Sequence, residues 1–98
     1  MRRIEITRNA SADLDDIVAY IAQDNPIAAE RVDQRVRAAI EKLAEASTGR
    51  AGRVAGTFEK LVKGAPYVIA YELADKATLR VLRIIHGARD WQAGQWPD

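Results

Sequence analysis

The chain of 98 residues contains no cysteine and only one histidine, His86. Without cysteine it can form no disulfide, carries no thiolate nucleophile and lacks the usual ligands of structural zinc and iron–sulfur sites. A single histidine also excludes metal motifs built on two histidines. We therefore expect no metal and no cofactor, and most classes of metalloenzyme and thiol enzyme are excluded.

Long hydrophobic runs are missing as well. The longest one, Ile17–Ala22, has six residues, whereas a membrane span needs about 20. The N-terminal residues Met1–Glu5 are charged and lack the apolar stretch of a signal peptide. We expect a cytoplasmic protein that does not associate with a membrane.

Charge is nearly balanced over the whole chain, with a net charge of +1. The first 46 residues carry seven Lys and Arg against nine Asp and Glu, and the remaining residues carry eight against five. The basic excess therefore lies in the C-terminal half. It is too small for the basic stripe of a strong nonspecific nucleic-acid binder.

Hydrophobic periodicity predicts one domain over residues 1–98. Apolar residues recur every three or four positions through two helices joined at Asn25-Pro26, and they alternate in the strands. The predicted elements are a strand at 2–7, helices at 9–24 and 26–46, strands at 57–62, 67–73 and 78–86, and a tail at 87–98. The Gly- and Arg-rich segment 49–56 is predicted as a loop. The order βααβββ predicts an α+β fold, a helical hairpin packed on an antiparallel sheet.

Candidate functional residues lie in the C-terminal half. His86 ends the last predicted strand with Arg83 and Arg89 nearby, and a protonatable group beside two arginines is suited to binding a phosphodiester and assisting acid–base chemistry on RNA. The alternative is that His86 caps the strand end and that Arg89 and Asp90 form a local surface pair. Trp91 either anchors an interface or pins the tail to the sheet. Trp96 is either an interface anchor or a docked side chain.

A group of basic residues, Arg50, Arg53, Lys60 and Lys63, surrounds the second predicted strand. It either meets an acidic or phosphate-bearing partner or protects a solvated sheet edge. Asp13, Asp15 and Asp16 fan around the first helix, which predicts a solvated face rather than a catalytic cluster. The three tyrosines, Tyr20, Tyr67 and Tyr71, are predicted as core or half-core side chains.

Several segments occur here in an order typical of one protein family. They are Ala12–Ile21, Asn25–Arg31, Gly49-Arg50, Gly56–Glu59, Pro66–Tyr71 and Arg83–Trp91. This ordered set resembles the RelE/ParE superfamily of bacterial toxins, and the ParE branch in particular. The sequence departs from that branch at Phe58, where many of its members have arginine.

The resemblance implies the toxin of a type II toxin–antitoxin system, neutralised by a ParD-like antitoxin that wraps around it. Operator DNA would be bound only through the antitoxin. ParE-like toxins poison DNA gyrase by binding and are not enzymes, whereas RelE-like toxins are ribosome-dependent mRNA endonucleases. In the RelE-like case the catalytic candidates are Arg53, Arg83, His86 and Arg89.

The gyrase poison is the favoured function. RelE-like tails commonly supply a catalytic tyrosine, but no tyrosine follows Tyr71, and the basic excess is small. The target-binding candidates are Arg53, Lys60, His86, Arg89, Trp91 and Trp96. The alternatives are an mRNA endonuclease and an inactive relative with the same fold.

Overall fold

The computed structural model describes residues 1–87, which form two helices and five strands. In chain order these are β1 (Arg3–Ile6), α1 (Arg8–Ala22), α2 (Pro26–Glu45), β2 (Arg50–Ala51), β3 (Phe58–Leu61), β4 (Tyr67–Asp75) and β5 (Thr78–His86). The bounds of the six predicted elements shift by no more than two residues. The α+β class is confirmed, with the helical hairpin packed on the sheet.

Both helices begin at residues that satisfy their first backbone amides. The Thr7 hydroxyl accepts a hydrogen bond from the Ala10 amide at 3.1 Å, and the Asn25 side chain accepts one from the Ala28 amide at 3.0 Å. Pro26 occupies the first turn of α2, where no intrahelical amide donor is needed. Because only a short turn separates the helices, they pack against each other as a hairpin.

The sheet has the strand order β1-β5-β4-β3-β2 and is mixed, not purely antiparallel. β1 pairs with β5 in parallel, with Arg3 opposite Thr78, while the other strand pairs are antiparallel. The expectation of an antiparallel sheet was wrong for β1. In the sequence, the two helices separate β1 from the other strands. Parallel pairing requires a long crossover connection, which the helical hairpin provides.

The predicted loop at 49–56 contains a short fifth strand. In β2, Arg50 pairs with Glu59 and Ala51 pairs with Phe58 of β3. A strand of two residues is too short to show an alternating hydrophobic pattern, and neither β2 side chain is buried. The pairing nevertheless places Arg50 beside β3.

The hydrophobic core lies between the helices and one face of the sheet. Its largest buried side chains include Tyr71, Leu43 and Ile69, each no more than 1% exposed. Phe58 packs against this core and stacks on Tyr71, with ring centroids 5.6 Å apart. The residue that departs from the family pattern therefore lies on the core side of β3.

The edge of β5 beyond the end of β1 is covered by the start of α1. The Thr7 hydroxyl donates to the carbonyl of Leu82 at 3.0 Å, and the Asp13 carboxylate accepts from the amide of Ile84 at 3.0 Å. Asp13 also accepts two hydrogen bonds from the Arg83 guanidinium, at 2.6 and 2.8 Å. The prediction of a solvated face was therefore wrong for Asp13, since the helix approaches the sheet edge at that turn, while Asp15 and Asp16 are exposed as predicted.

The three tyrosines have different environments. Tyr71 is buried and Tyr67 is half-buried against the core, but Tyr20 is 74% exposed. The core prediction was wrong for Tyr20 because its position falls outside the stripe of α1 that faces the sheet. None of the helices within residues 1–87 combines the length and hydropathy that a membrane span requires.

Candidate functional site

A groove of about 530 Å³ lies near the ends of β3 and β5. We call it the basic groove, and its lining residues are Thr48, Arg50, Arg53, Glu59, Lys60, Leu61, Pro66, Val68, His86 and Gly87. Three of the residues predicted to bind a target, Arg53, Lys60 and His86, are thus brought together from separate elements.

Arg53 is held in this groove by an ion pair with Glu59. The guanidinium donates to both carboxylate oxygens, at 2.8 and 3.0 Å, and the Arg53 backbone amide donates to one of them at 2.9 Å. The Glu59 side chain is only 5% exposed, compared with 26% for Arg53. Burial alone would raise the pKa of Glu59, but the hydrogen bonds and charge of Arg53 outweigh it and hold that pKa below its usual value.

The connection between β2 and β3 positions Arg53 for this ion pair. The Gly52 amide donates to the Thr57 carbonyl at 2.8 Å, and the Thr57 hydroxyl donates to the Val54 carbonyl at 2.6 Å. A Cβ atom on Gly52 would lie 2.5 Å from the Thr57 hydroxyl oxygen. The tight turn therefore requires glycine at position 52 and fixes the backbone on both sides of Arg53.

His86 is the exposed last residue of β5, opposite Tyr67 of β4 in the strand register. The two rings meet edge to face, with centroids 5.6 Å apart. The next amide, that of Gly87, donates to the Pro66 carbonyl at 2.8 Å. The histidine is therefore held at the groove by the paired ends of β4 and β5.

The other described residues that the sequence suggested as functional, Arg83 and Lys63, do not line the basic groove. The Arg83 guanidinium is engaged by Asp13 at the edge of β5, so the predicted catalytic set of Arg53, Arg83 and His86 is not brought together. Lys63 lies beyond the end of β3, outside the groove lining. Arg89, Trp91 and Trp96 lie outside the described residues 1–87.

The sequence placed Arg50 in the basic group around the second predicted strand but not among the target-binding candidates, and it did not single out Glu59. Arg50 lines the groove from β2, opposite Glu59 on β3. The signal that would have found them is the cross-strand pairing of opposite charges, which requires knowing that β2 exists.

The groove has the chemistry of a surface that receives an acidic partner. Arg50, Lys60 and His86 surround an apolar floor that includes Leu61 and Val68. Within residues 1–87, no group of three or more His, Cys, Asp and Glu side chains is placed to hold a metal ion.

Comparison with known proteins identifies the family. The family model described as the ParE toxin of the parDE type II toxin–antitoxin system matches residues 4–91. The candidate toxin Y4kP of Sinorhizobium fredii is 37% identical over 91 residues, covering 92% of this chain and 93% of its own. Toxin RelE2 of Caulobacter vibrioides is 41% identical over 90 residues, covering 91% and 99%.

The fold is also similar to that of a solved structure. A chain of the chromosomal ParDE toxin–antitoxin system from P. aeruginosa aligns with a TM-score of 0.79 at 23% identity, covering 88% of this chain and 96% of that one. The family match spans β1 to β5 and so includes every described residue that lines the basic groove. The chain belongs to the ParE family of type II toxin–antitoxin toxins.

Proposed function

We propose that this toxin acts by binding, that its target is DNA gyrase, and that a ParD-like antitoxin neutralises it. The observation that carries the binding mode is the pairing of Arg53 with Glu59 in the basic groove. Because Arg53 holds the Glu59 carboxylate in place, this carboxylate has a structural role. The groove then presents basic side chains around an apolar floor. The gyrase target is supported by membership of the ParE family.

Acid–base cleavage of RNA needs a proton acceptor and a proton donor that both reach the substrate. Glu59 is buried, held by three hydrogen bonds from Arg53, and has a lowered pKa, so it is a weak base with little access to a ligand. Tyr71 packs in the core on the other face of the sheet, where burial raises its pKa. Neither Glu59 nor Tyr71 is therefore placed to exchange a proton with a ligand in the groove, which supports binding over cleavage.

A second candidate function is ribosome-dependent mRNA cleavage of the RelE type. It is favoured by the 41% identity to toxin RelE2 and by the presence of Arg53 and His86 in one groove. In this function the groove would hold the RNA phosphate, and His86 would transfer the proton. Under either function, contact with operator DNA would occur only through the antitoxin, in the cytoplasm.

The test of the first function is gyrase-mediated DNA cleavage with purified toxin. We expect linear plasmid DNA to accumulate in the presence of gyrase and ATP. Arg50→Ala should reduce the potency about tenfold, because removing one rim charge from an electrostatically matched interface costs on the order of 1.4 kcal/mol. The control is Lys76→Ala, which removes one positive charge from the exposed β4–β5 turn, away from the groove.

Two further measurements separate the candidate functions. Primer extension on messages from toxin-expressing cells should show intact mRNA, and His86→Gln should retain growth arrest. Site-specific mRNA cleavage that disappears in His86→Gln would establish the endonuclease instead. Normal growth and unaffected gyrase with the wild-type toxin would identify an inactive relative.

A further inference from the structure

β2 is attached to the rest of the fold at few points. It consists of Arg50 and Ala51, both exposed, and among residues 1–87 it pairs with β3 alone, at the edge of the sheet. So short a strand gains little from its own pairing, and its position therefore depends on how the chain is fixed on either side. After β2, the chain is fixed by the hydrogen bond from the Gly52 amide to the Thr57 carbonyl.

Before β2, the chain is fixed from the hydrophobic core. The Gly49 amide donates to the Tyr71 hydroxyl at 2.9 Å. Tyr71 belongs to β4 and is only 1% exposed, so the surrounding core side chains fix its ring. A buried hydroxyl needs a hydrogen-bond partner, and the Gly49 amide supplies one. Arg50 directly follows the residue whose amide Tyr71 holds.

The Phe58 ring orients Tyr71. The two rings stack with centroids 5.6 Å apart and an angle of 25° between their planes. Phe58 lies opposite Tyr71 in the β3–β4 register and opposite Ala51 in the β2–β3 register. Its ring therefore restricts the Tyr71 ring where β2, β3 and β4 lie side by side. The stacked rings keep the hydroxyl directed at Gly49.

We propose that Tyr71 and Phe58 are positioning residues for the basic groove, because together they fix Gly49 and thereby the place of Arg50. Neither of them is among the described residues that line the groove, so both act through the backbone at positions 49 and 50. Arg50 then lies opposite Glu59, which also lines the groove. The inference rests on the proposed function for the role of the groove, and it adds how the core sets the position of one of its cations.

The first experiment measures backbone order by NMR relaxation in Tyr71→Phe, which keeps the ring and removes the hydroxyl. The order parameter of the Arg50 amide should fall from about 0.85 to about 0.6. Exchange of the Gly49 amide with solvent should accelerate about fivefold, the change that loss of one hydrogen bond produces. The control is Ile40→Val, which removes one methylene group from a buried side chain of α2. It should destabilise the fold and leave the Arg50 order parameter unchanged.

The second experiment is a double-variant cycle on the potency with which purified toxin poisons gyrase. Arg50→Ala is expected to lose about tenfold, and Tyr71→Phe, which keeps Arg50 but leaves it mobile, about threefold. If Tyr71 acts through Arg50, the combined variant should be no weaker than Arg50→Ala alone. Phe58→Leu should behave like Tyr71→Phe because it removes the stacked ring. Phe58→Tyr, which keeps the ring, and Ile40→Val should both retain the wild-type potency.

The outcomes separate this inference from the proposed function. An unchanged Arg50 order parameter in Tyr71→Phe would refute the positioning role and leave the proposed function standing. Losses of potency that add in the combined variant would refute the route through Arg50. If the wild-type toxin leaves gyrase unaffected, the proposed target is wrong, and the Arg50 order parameters in Tyr71→Phe and Phe58→Leu still decide the positioning role.

Discussion

Gly49 illustrates how one residue without a side chain can determine local packing. Its backbone amide donates to the Tyr71 hydroxyl at 2.9 Å, and Tyr71 is only 1% exposed. The contact holds the segment between α2 and β2 against the core. The close approach explains why glycine precedes Arg50, a pair that also belongs to the family pattern.

We expect Gly49→Ala to destabilise the fold. A Cβ atom at position 49 would lie within 2.7 and 2.9 Å of two ring carbons of Tyr71, which is too close for either group to remain in place. Overpacking of this kind costs about 1–3 kcal/mol, which lowers the Tm of a domain of this size by about 4–8 °C per kcal/mol. Thermal unfolding followed by circular dichroism measures the change.

The matched control is Gly87→Ala. A Cβ atom there would lie 3.4 Å from the Pro66 carbonyl oxygen and from Val68, an ordinary contact distance. Equal losses of Tm in the two variants would contradict the assigned clash with Tyr71.

Tyr71 and Asp13 show what the sequence could and could not predict about single residues. The apolar pattern correctly placed Tyr71 in the core, because alternation in a strand identifies its buried face. It failed for Asp13, whose two partners are 70 and 71 residues away in the chain. Local periodicity carries no information about which strand edge a helix crosses, so this ion pair was not predictable.

At the scale of elements, α1 completes the sheet where β1 ends. β1 is paired with β5 from Arg3 to Ile6, and beyond that point Thr7 and Asp13 supply the hydrogen bonds along the edge. The C-terminal half of β5, which ends at His86, is therefore paired with β4 on one side and hydrogen-bonded to α1 and its N-cap on the other.

We expect Asp13→Asn to weaken this junction. The amide side chain carries no charge for Arg83, and hydrogen bonds to charged groups contribute about 1.5–3 kcal/mol. Urea denaturation should show a loss in that range, and hydrogen exchange should accelerate at the Ile84 amide. Asp15→Asn, an exposed position on the same helix, should change stability by less than about 0.5 kcal/mol. Unchanged exchange at Ile84 in Asp13→Asn would contradict the role of the carboxylate.

Elements differ in how strongly the sequence encodes them. The two helices and the strands β3 to β5 each have a repeating apolar pattern and recognisable ends, such as Asn25-Pro26, and they were predicted. β2 has no such pattern, and its existence depends on pairing with β3. Because Arg50 and the Arg53–Glu59 pair are positioned by β2 and its turn, the basic groove was only partly predictable.

The whole molecule has ionisable groups with opposite pKa shifts on the two faces of its sheet. Glu59, in the basic groove, has a pKa below the ordinary value of 4.5. Tyr71, in the core, has a pKa above the ordinary value of 10.0, mainly because burial disfavours the phenolate. The two faces therefore respond to opposite ends of the pH range.

These shifts predict a plateau of stability with defined limits. A lowered carboxylate pKa means that the unfolded chain binds the proton more tightly, so the contribution of Glu59 is present above about pH 4.5 and is lost as the pH falls through the folded-state pKa. A raised phenol pKa means that the folded chain binds the proton more tightly. The contribution of Tyr71 is therefore present below about pH 10.0 and is lost as the pH rises through its folded-state pKa.

The measurement is the free energy of unfolding in urea across the pH range, for wild type, Glu59→Gln and Tyr71→Phe. Glu59→Gln should be less stable than wild type at neutral pH, and the gap should close below about pH 4.5 because the wild-type carboxyl then becomes protonated. Tyr71→Phe should reduce only the loss of unfolding free energy at alkaline pH, because it removes the phenol and leaves Glu59 intact. A gap between wild type and Glu59→Gln that stays constant into acid would mean that the Arg53–Glu59 pair contributes through packing rather than charge. The basic groove would then hold its shape after Glu59 is protonated.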